Sequence, residues 1–434
     1  MSFNKKTIRD IDLNGKRVLV RVDYNVPLDD KGNISDDYRI KKSLPTIQYL
    51  LDQNCSIVLC SHLGRPDGKS DMSLSLKPCA EHLSQLIDKP VEFANDCTGD
   101  QTKQLVDRLQ PGQILMLENV RFNPGEESSE ESRASEFAKQ LASYADVFVQ
   151  DAFGVVHHGA ASVSEIPKYL PGVAGLLLEK EVDTITNVME NPARPLMAII
   201  GGAKISDKLK ILNRFIDIAD VVVVGGAMAN TFLLAEGIQI GKSKAEPDDV
   251  PLAKEIIEKA KAKAAKQKFV FYLPQDGVVA TSLDTNARTR IVDYSAHVIA
   301  SIEAYPQMPK REAGIVAEDE LILDIGPFSG AFIAGAMQLA DTVIWNGAMG
   351  VTETPGLQGP IGPFAHGTEL IVEAMLGQFG HRPFTVLGGG DTVGYIEDRK
   401  LTSSFNHVST GGGASMELMS GKLLPGVEAL QDKE

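Results

Sequence analysis

Short runs of Val, Ile and Leu recur along the whole chain, each followed by a loop and then by apolar residues at helical spacing. The runs occupy residues 16–22 (KRVLVRV), 56–60, 113–117, 146–150, 196–200, 220–224, 268–273, 320–325, 341–345 and 384–388. Strands that alternate with amphipathic helices predict an α/β protein whose parallel sheets are covered on both faces. At 434 residues, two or three such units fit, given ~150 residues per domain. No repeat of solenoid type interrupts the pattern. Residues 176–195 (LLLEKEVDTITNVMENPARP) read as one long helix ending at Pro192 and Pro195, which suits a connector between two domains. Residues 125–133 (GEESSEESR) read as a solvated loop or helix entry, and 354–363 (TPGLQGPIGP) as a loop.

Charge narrows the ligands. The net charge of −15 is shared by both halves, which argues against a nucleic-acid or anionic-membrane partner. The densest basic run, 254–268 (KEIIEKAKAKAAKQK), has its alanines and isoleucines at helical spacing and reads as a solvated helix face. Cys55, Cys60, Cys79 and Cys97 form no C-x-x-C pair and have no zinc-type spacing, so buried or free thiols in a reducing compartment are expected. The start MSFNKKTIRD has cations without an apolar segment behind them, and no stretch approaches ~18 uninterrupted apolar residues. A soluble, cytoplasmic protein is the expectation.

In open parallel sheets, ligands bind beyond the carboxyl ends of the strands. There the first half offers Asp23 and Asn25, His62 and Arg65, Arg121, and His157 and His158, while Arg39 opens the first helix. Taken singly, each has an ordinary role in a turn, against its own backbone or on the surface. Together they predict one cationic basin for phosphate or carboxylate groups, with Asp23 and Asn25 reading hydroxyls beside it. The second half offers glycine loops instead: 199–204 (IIGGAK), 223–229 (VVGGAMA), 345–350 (WNGAMG), 387–394 (LGGGDTVG) and 409–415 (STGGGAS). These suit a larger ligand lying close to backbone, with phosphates over helix starts. Lys204 and Lys208 stand where a helix begins, an arrangement that repels itself unless an anion is nearby; two solvated lysines are the alternative.

Familiar nucleotide fingerprints do not account for these loops. GIQIGKS (237–243) is one residue short of a Walker A loop and follows a helical pattern. GGGDTVG misses G-x-G-x-x-G by one residue, with no second-strand acid for a dinucleotide ribose. Asp391 has two readings, a helix N-cap or a carboxylate for phosphate-bound magnesium.

In order, RVLVRVDYNVPL, HLGRP, ENVRF, QDAFG, GGAKISDK, GGAMANTF, WNGAMG, GGGDT and STGGGASMELMSGKLLPGV resemble the phosphoglycerate kinases over essentially the whole length. The resemblance implies two Rossmann-like, three-layer α/β/α domains with parallel sheets, joined by a helix. Residues 1–178 would bind 3-phosphoglycerate, 179–195 would link, 196–410 would bind nucleotide, and 411–434 would return to the first domain. It implies phosphoryl transfer between 1,3-bisphosphoglycerate and ADP, with Mg2+ accompanying ATP or ADP, in a monomer. By matching position, Asp23, Asn25, Arg39, His62, Arg65 and Arg121 would hold 3-phosphoglycerate. His158, in VHHGA, takes the place of a family arginine there. Gly202, Lys208, Gly226, Asn346, Glu353, Gly389, Gly390, Asp391 and Thr392 would hold the nucleotide, with Glu353 at the ribose and Asp391 on the metal. Arg39, Lys204, Lys208 and the amides of Gly411, Gly412 and Gly413 would surround the phosphoryl group in transfer.

The acceptor in such a reaction is already ionised, so positioning and charge neutralisation suffice and no general base is needed. Domain closure is expected to exclude water from the acyl phosphate. The chain departs from the family pattern at Ala227, Ala348 and Thr352, in LILDIGP, which lacks a family glycine, and in the longer loop 354–363. These changes gather on the nucleotide side. A relative that binds the ligands without efficient turnover is the alternative function; retention of Arg39, Lys204, Lys208 and Asp391 argues against it.

Overall fold

The computed structural model describes residues 3–294, 298–300, 314–357 and 359–433; Gln358 of the Gly- and Pro-rich loop lies outside them. Two compact units emerge, Met1–Thr186 with Lys422–Glu434, and Asn187–Gly421.

The first unit is a six-stranded, all-parallel sheet: β1 (Arg17–Arg21), β2 (Ser56–Cys60), β3 (Val91–Phe93), β4 (Ile114–Met116), β5 (Val147–Gln150) and β6 (Gly172–Ala174), in the order β3-β4-β2-β1-β5-β6. β2 and β5 are buried along their whole length, which is why they read as unbroken apolar runs rather than alternating ones. The crossing helices are α1 (Tyr38–Asp52), α2 (Lys77–Ile87), α3 (Asp100–Arg108) and α4 (Glu131–Ala142). Helix α1 buries Ile40, Ile47, Leu50 and Leu51, the i, i+7, i+10, i+11 stripe of an amphipathic helix, in the cluster that also holds Val18, Val20 and Leu59. The chain leaves β1 toward β2 and leaves β5 toward β6, so the crevice for a ligand lies beyond the ends of β1 and β5. The C-terminal tail pairs with the first residues: the N–H of Lys6 donates to the Gln431 carbonyl at 2.7 Å, and the N–H of Gln431 to the Gly172 carbonyl at 3.0 Å. Helix α5 (Leu176–Glu190) spans the boundary between the units.

The second unit is built on a seven-stranded sheet. Its strands are β7 (Leu196–Ile200), β8 (Val221–Val224), β9 (Val270–Tyr272), then β12 (Ile299–Ala300), β14 (Thr342–Asn346), β15 (Phe384–Gly388) and β16 (His407–Val408), in the order β12-β9-β8-β7-β14-β15-β16. Only β12 runs antiparallel to its neighbour. The helices are α6 (Ile205–Ile218), α7 (Gly226–Ala235), α8 (Val250–Ala264), α9 (Pro327–Met337), α10 (His366–Met375), α11 (Gly390–Asp398) and α12 (Gly412–Met419). The switch of direction falls between β7 and β14, where the loops IIGGAK and WNGAMG meet.

One expectation needs correcting. Residues 320–325 do not extend a parallel sheet: β10 (Asp276–Ala280), β11 (Arg290–Asp293) and β13 (Leu321–Ile325) form a separate antiparallel sheet in the order β11-β10-β13. An isolated apolar run carries no information about the direction of its partner, so periodicity alone could not decide this. Residues 411–421 pack with the second unit and 422–434 with the first.

Candidate active site

In the first unit, Asp23 and Asn25 follow β1, His62 follows β2, and Arg121 sits in a single turn, Val120–Phe122, after β4. Asp23 is buried; its Oδ2 accepts a hydrogen bond from Arg39 Nη1 at 2.5 Å, and its Oδ1 lies 3.9 Å from His62 Nδ1. Asn25 Oδ1 accepts from the N–H of Gly64 at 2.9 Å. Arg121 Nη1 donates to the Gly64 carbonyl at 2.8 Å, while Nη2 pairs with Glu127 at 2.5 Å. Burial pushes the Asp23 carboxyl up, but Arg39, His62 and Arg21, with the Asn25 N–H, outweigh it and hold the group below the usual carboxylate range. Burial drives His62 well below the ordinary histidine value; Asp23 opposes this, and Arg21, Arg121 and Arg39 deepen it. The ring is therefore neutral at pH 7. Arg21 Nη2 lies 3.4 Å from His62 Nδ1 and can only donate, so Nδ1 accepts and Nε2 carries the proton.

Arg21 and Glu126 belong to this cluster and are absent from the sequence candidates. Arg21 is fully buried at the end of β1: Nε donates to Ser162 Oγ at 2.7 Å, and Nη2 lies 3.9 Å from Glu126 Oε1. Glu126 in turn accepts from Ser162 Oγ at 2.6 Å and from its N–H at 2.9 Å. So the solvated reading of GEESSEESR is wrong at its second residue. The available signal was an arginine closing a continuous apolar run, where a strand buried on both faces requires it to have a partner. Arg65 and His158 are exposed, and among the described residues neither side chain is hydrogen-bonded or ion-paired to the cluster. The His158 ring lies 3.9 Å from that of His157.

In the second unit, several glycines are required by other loops rather than by a ligand. A Cβ on Gly201 would stand 2.0 Å from the Ala348 carbonyl oxygen, on Gly347 2.3 Å from that of Gly201, and on Gly226 2.7 Å from the Gly202 nitrogen. Gly390 differs, because a Cβ there would meet open space. Lys208 Nζ donates to Asn346 Oδ1 and lies 3.1 Å from Met416 Sδ. Burial lowers the pKa of Lys208, with Asp391 and Asp207 opposing. Asn346 is fully buried at the end of β14, and its Nδ2, beside Gly389, has no partner. Lys204 is the exposed N-cap residue of α6, and the first N–H of that helix, on Ile205, is met by Glu246 Oε2 at 3.0 Å. Lys204 and Lys208 thus part company: one is in solvent, the other drawn onto the end of β14.

Asp391 does not cap its helix. Gly389 occupies that position without a side-chain bond, and Asp391 stands exposed in the first turn of α11. Thr392 is buried and its Oγ1 accepts from the Gly347 N–H at 2.6 Å, locking the two loops together. Gly411 precedes α12, whose first turn holds Gly412 and Gly413, and a Cβ on Gly412 would stand 3.0 Å from the Gly390 nitrogen. Next to these loops opens a cleft of about 300 Å³, lined among others by Gly202, Gly226, Leu323, Met349, Glu353 and Asp391. Apolar walls with a carboxylate at one end and helix starts around it suit a flat base carrying phosphates. Among the described residues no group of three His, Cys, Asp or Glu side chains is arranged to hold a metal ion. A single carboxylate such as Asp391 fits a cation held mainly by phosphate oxygens and water. Nor is any helix of the described residues long and apolar enough to cross a membrane.

The family model described as phosphoglycerate kinase matches residues 8–422. The phosphoglycerate kinase of Chloroflexus aurantiacus is 45% identical over 434 residues, covering 100% of both chains. That of Moorella thermoacetica is 44% identical over 429 residues, 99% of this chain and 100% of its own. The structure of the Coxiella burnetii phosphoglycerate kinase superposes with a TM-score of 0.79 at 35% identity, covering 98% of each chain. That of the Pyrococcus horikoshii enzyme gives 0.78 at 28% identity with the same coverage. With both ligand crevices at the switch points of two such sheets, and relatives alike from end to end, the chain belongs to the phosphoglycerate kinase family.

Proposed function

We propose that this chain catalyses the reversible, magnesium-dependent transfer of a phosphoryl group between 1,3-bisphosphoglycerate and ADP, giving 3-phosphoglycerate and ATP. The observation that carries the reading is the division of chemistry between two switch points: a buried cationic cluster around Asp23 and His62, and a glycine-lined cleft beside Lys208. Arg39 and Arg121 supply charge and forked donors for 3-phosphoglycerate, with Arg65 and His158 reaching in from exposed positions. The Nε2–H of neutral His62 and the carboxylate of Asp23 read its oxygens.

On the nucleotide side, Glu353 meets the ribose, and the N–H groups opening α11 and α12 meet the phosphates with Lys208, Lys204 and Asn346. The buried Nδ2 of Asn346 gains its partner from a phosphate oxygen. Asp391 would hold magnesium on the nucleotide, where the ion supplies neutralisation of phosphate charge. Since the accepting carboxylate or phosphate is ionised at neutral pH, the residues act by placing and neutralising charge in a loose transition state. A cytoplasmic location and action as a monomer, without nucleic acid or membrane, complete the reading.

A coupled assay tests it. Protein with 3-phosphoglycerate, ATP and magnesium should form acyl phosphate, and omission of magnesium should abolish it. Binding of either ligand by calorimetry without acyl phosphate formation would overturn the assignment of turnover.

A further inference from the structure

Glu126 is an acid inside a cationic basin, and none of the roles above employs it. It closes the loop that begins with the Arg121 turn, and its backbone carbonyl accepts from the N–H of Ala161 at 2.9 Å. Its side chain reaches the same turn, Ala161–Glu165, one residue further on: Oε2 accepts from the Ser162 N–H and Oε1 from the Ser162 hydroxyl. That hydroxyl has given its one proton to Glu126, so toward Arg21 Nε, 2.7 Å away, it acts only as acceptor. Glu126, Ser162 and Arg21 are all buried, and the chain of bonds lies out of solvent.

Each nitrogen of Arg21 has a partner within the protein. Nε has Ser162, Nη1 donates to the Val22 carbonyl at 2.6 Å, and Nη2 lies 3.4 Å from His62 Nδ1 and 3.9 Å from Glu126 Oε1. The guanidinium therefore acts on the histidine. His62 Nδ1 has a second neighbour, Asp23 Oδ1 at 3.9 Å, and an ionised carboxylate can only accept. The two neighbours demand opposite tautomers. Against Arg21, Nδ1 offers its lone pair and the proton sits on Nε2; against Asp23 alone, Nδ1 carries the proton and Nε2 presents a lone pair. Phosphate and carboxylate oxygens accept hydrogen bonds and are repelled by a lone pair, so the choice decides whether Nε2 attracts them. Stability does not account for the arrangement, because a buried ion pair generally stabilises a fold no more than apolar residues of the same volume.

We infer that Glu126 and Ser162 are positioning residues that hold Arg21 against Nδ1 of His62 and so keep the Nε2 proton available to the oxygens of 3-phosphoglycerate. The inference rests on the reading of this cluster as the 3-phosphoglycerate site.

Nitrogen NMR of the histidine rings, together with steady-state kinetics, tests it. Among the eight histidines, the signals missing from His62→Asn identify His62. At pH 7 the wild type should show the Nε2–H form. Glu126→Gln replaces one acceptor oxygen by an amide donor, and Ser162→Ala removes the hydroxyl between Glu126 and Arg21. Both should move the ring toward the Nδ1–H form and raise the KM for 3-phosphoglycerate roughly tenfold, the effect of losing one hydrogen bond to a charged group, with the KM for ATP in place. An Nδ1–H ring in the wild type, which needs no variant, would overturn the inference. So would a wild-type KM in both variants, or a raised KM with the ring signals unmoved. Arg39→Ala and Arg121→Ala separate the two levels of reading. If these raise the KM for 3-phosphoglycerate and Glu126→Gln and Ser162→Ala do not, the positioning role alone fails; if none of the four does, the reading of the basin fails.

Discussion

Lys208 lies on the first turns of α6 yet makes its contacts at Asn346, 138 positions on, and at Met416. Its ammonium is largely withdrawn from water, so it is worth more to a phosphoryl group than a lysine in bulk solvent. Lys208→Ala should lower turnover well over tenfold, each tenfold being ~1.4 kcal/mol of transition-state stabilisation, with little change in 3-phosphoglycerate binding. Near-normal turnover would remove it from the catalytic set. His62 offers a pH test. Its folded-state pKa lies well below 6.5, so the unfolded chain takes up a proton that the folded one refuses as pH falls. The stability it contributes is present above about pH 6.5 and is lost as pH drops toward the folded value, by up to ~1.4 kcal/mol per pH unit. Denaturant unfolding at pH 7.5, 6.5 and 5.5 should show that loss as a difference between the wild type and His62→Asn, because Asp151 and Asp324, pushed up to about 7 and about 8 by burial, act with the opposite sign over this range in both proteins. Asp23 has the same sign but acts at lower pH, through its own depressed carboxyl. Parallel slopes for the two proteins would exclude His62 as the source.

At the scale of elements, several helices of these units begin without a cap of their own. Helix α9 opens after Gly326, and its first N–H groups are met by Asp276 from β10. Helix α10 has Ala365 before it and draws on Asp324 from β13 through the N–H of Gly367. Helix α6 relies on Glu246. Each acceptor lies about 40 to 50 positions away in sequence, so a search for Ser, Thr, Asp or Asn just ahead of the helical pattern misses it. Asp276→Ala should strip three hydrogen bonds from the start of α9 and lower the unfolding free energy by ~2–3 kcal/mol, with Asp276→Asn closer to wild type. Equal denaturation midpoints for Asp276→Ala and wild type would mean that water replaces the carboxylate. The same distance effect explains β13. Its apolar run was legible, but its antiparallel partner β10 lies some forty residues earlier.

For the whole molecule, the first unit is completed only by the last residues of the chain. Lys5 is buried, and its Nζ donates to the carbonyls of Glu428 and Leu430 and pairs with Asp432 at 2.7 Å. Leu430 is itself buried against this unit, near Gly172. Leu430→Ala should therefore destabilise the first unit by ~2–4 kcal/mol, the range for a truncated core leucine. The nucleotide cleft, in the other unit, should keep its affinity for ADP. Loss of ADP binding in step with stability would show that the two units unfold together.

What the sequence determined by itself was periodicity and chemistry in place. Buried parallel strands must be continuous apolar runs, and that pattern alone puts Asp23, His62, Gly202 and Asn346 at strand ends. The family motifs are local strings of the same kind. Tertiary structure alone decided which of these residues meet. Arg21 and Glu126 form a buried pair 105 positions apart, Lys208 separates from Lys204, and Gly201 and Gly347 are glycines because two loops touch. Asp391 was ambiguous for a related reason: a helix start has room for one capping residue, and only the backbone shows that Gly389 occupies it. Contacts between residues far apart in sequence leave no period and no spacing behind, so only the folded chain contains them.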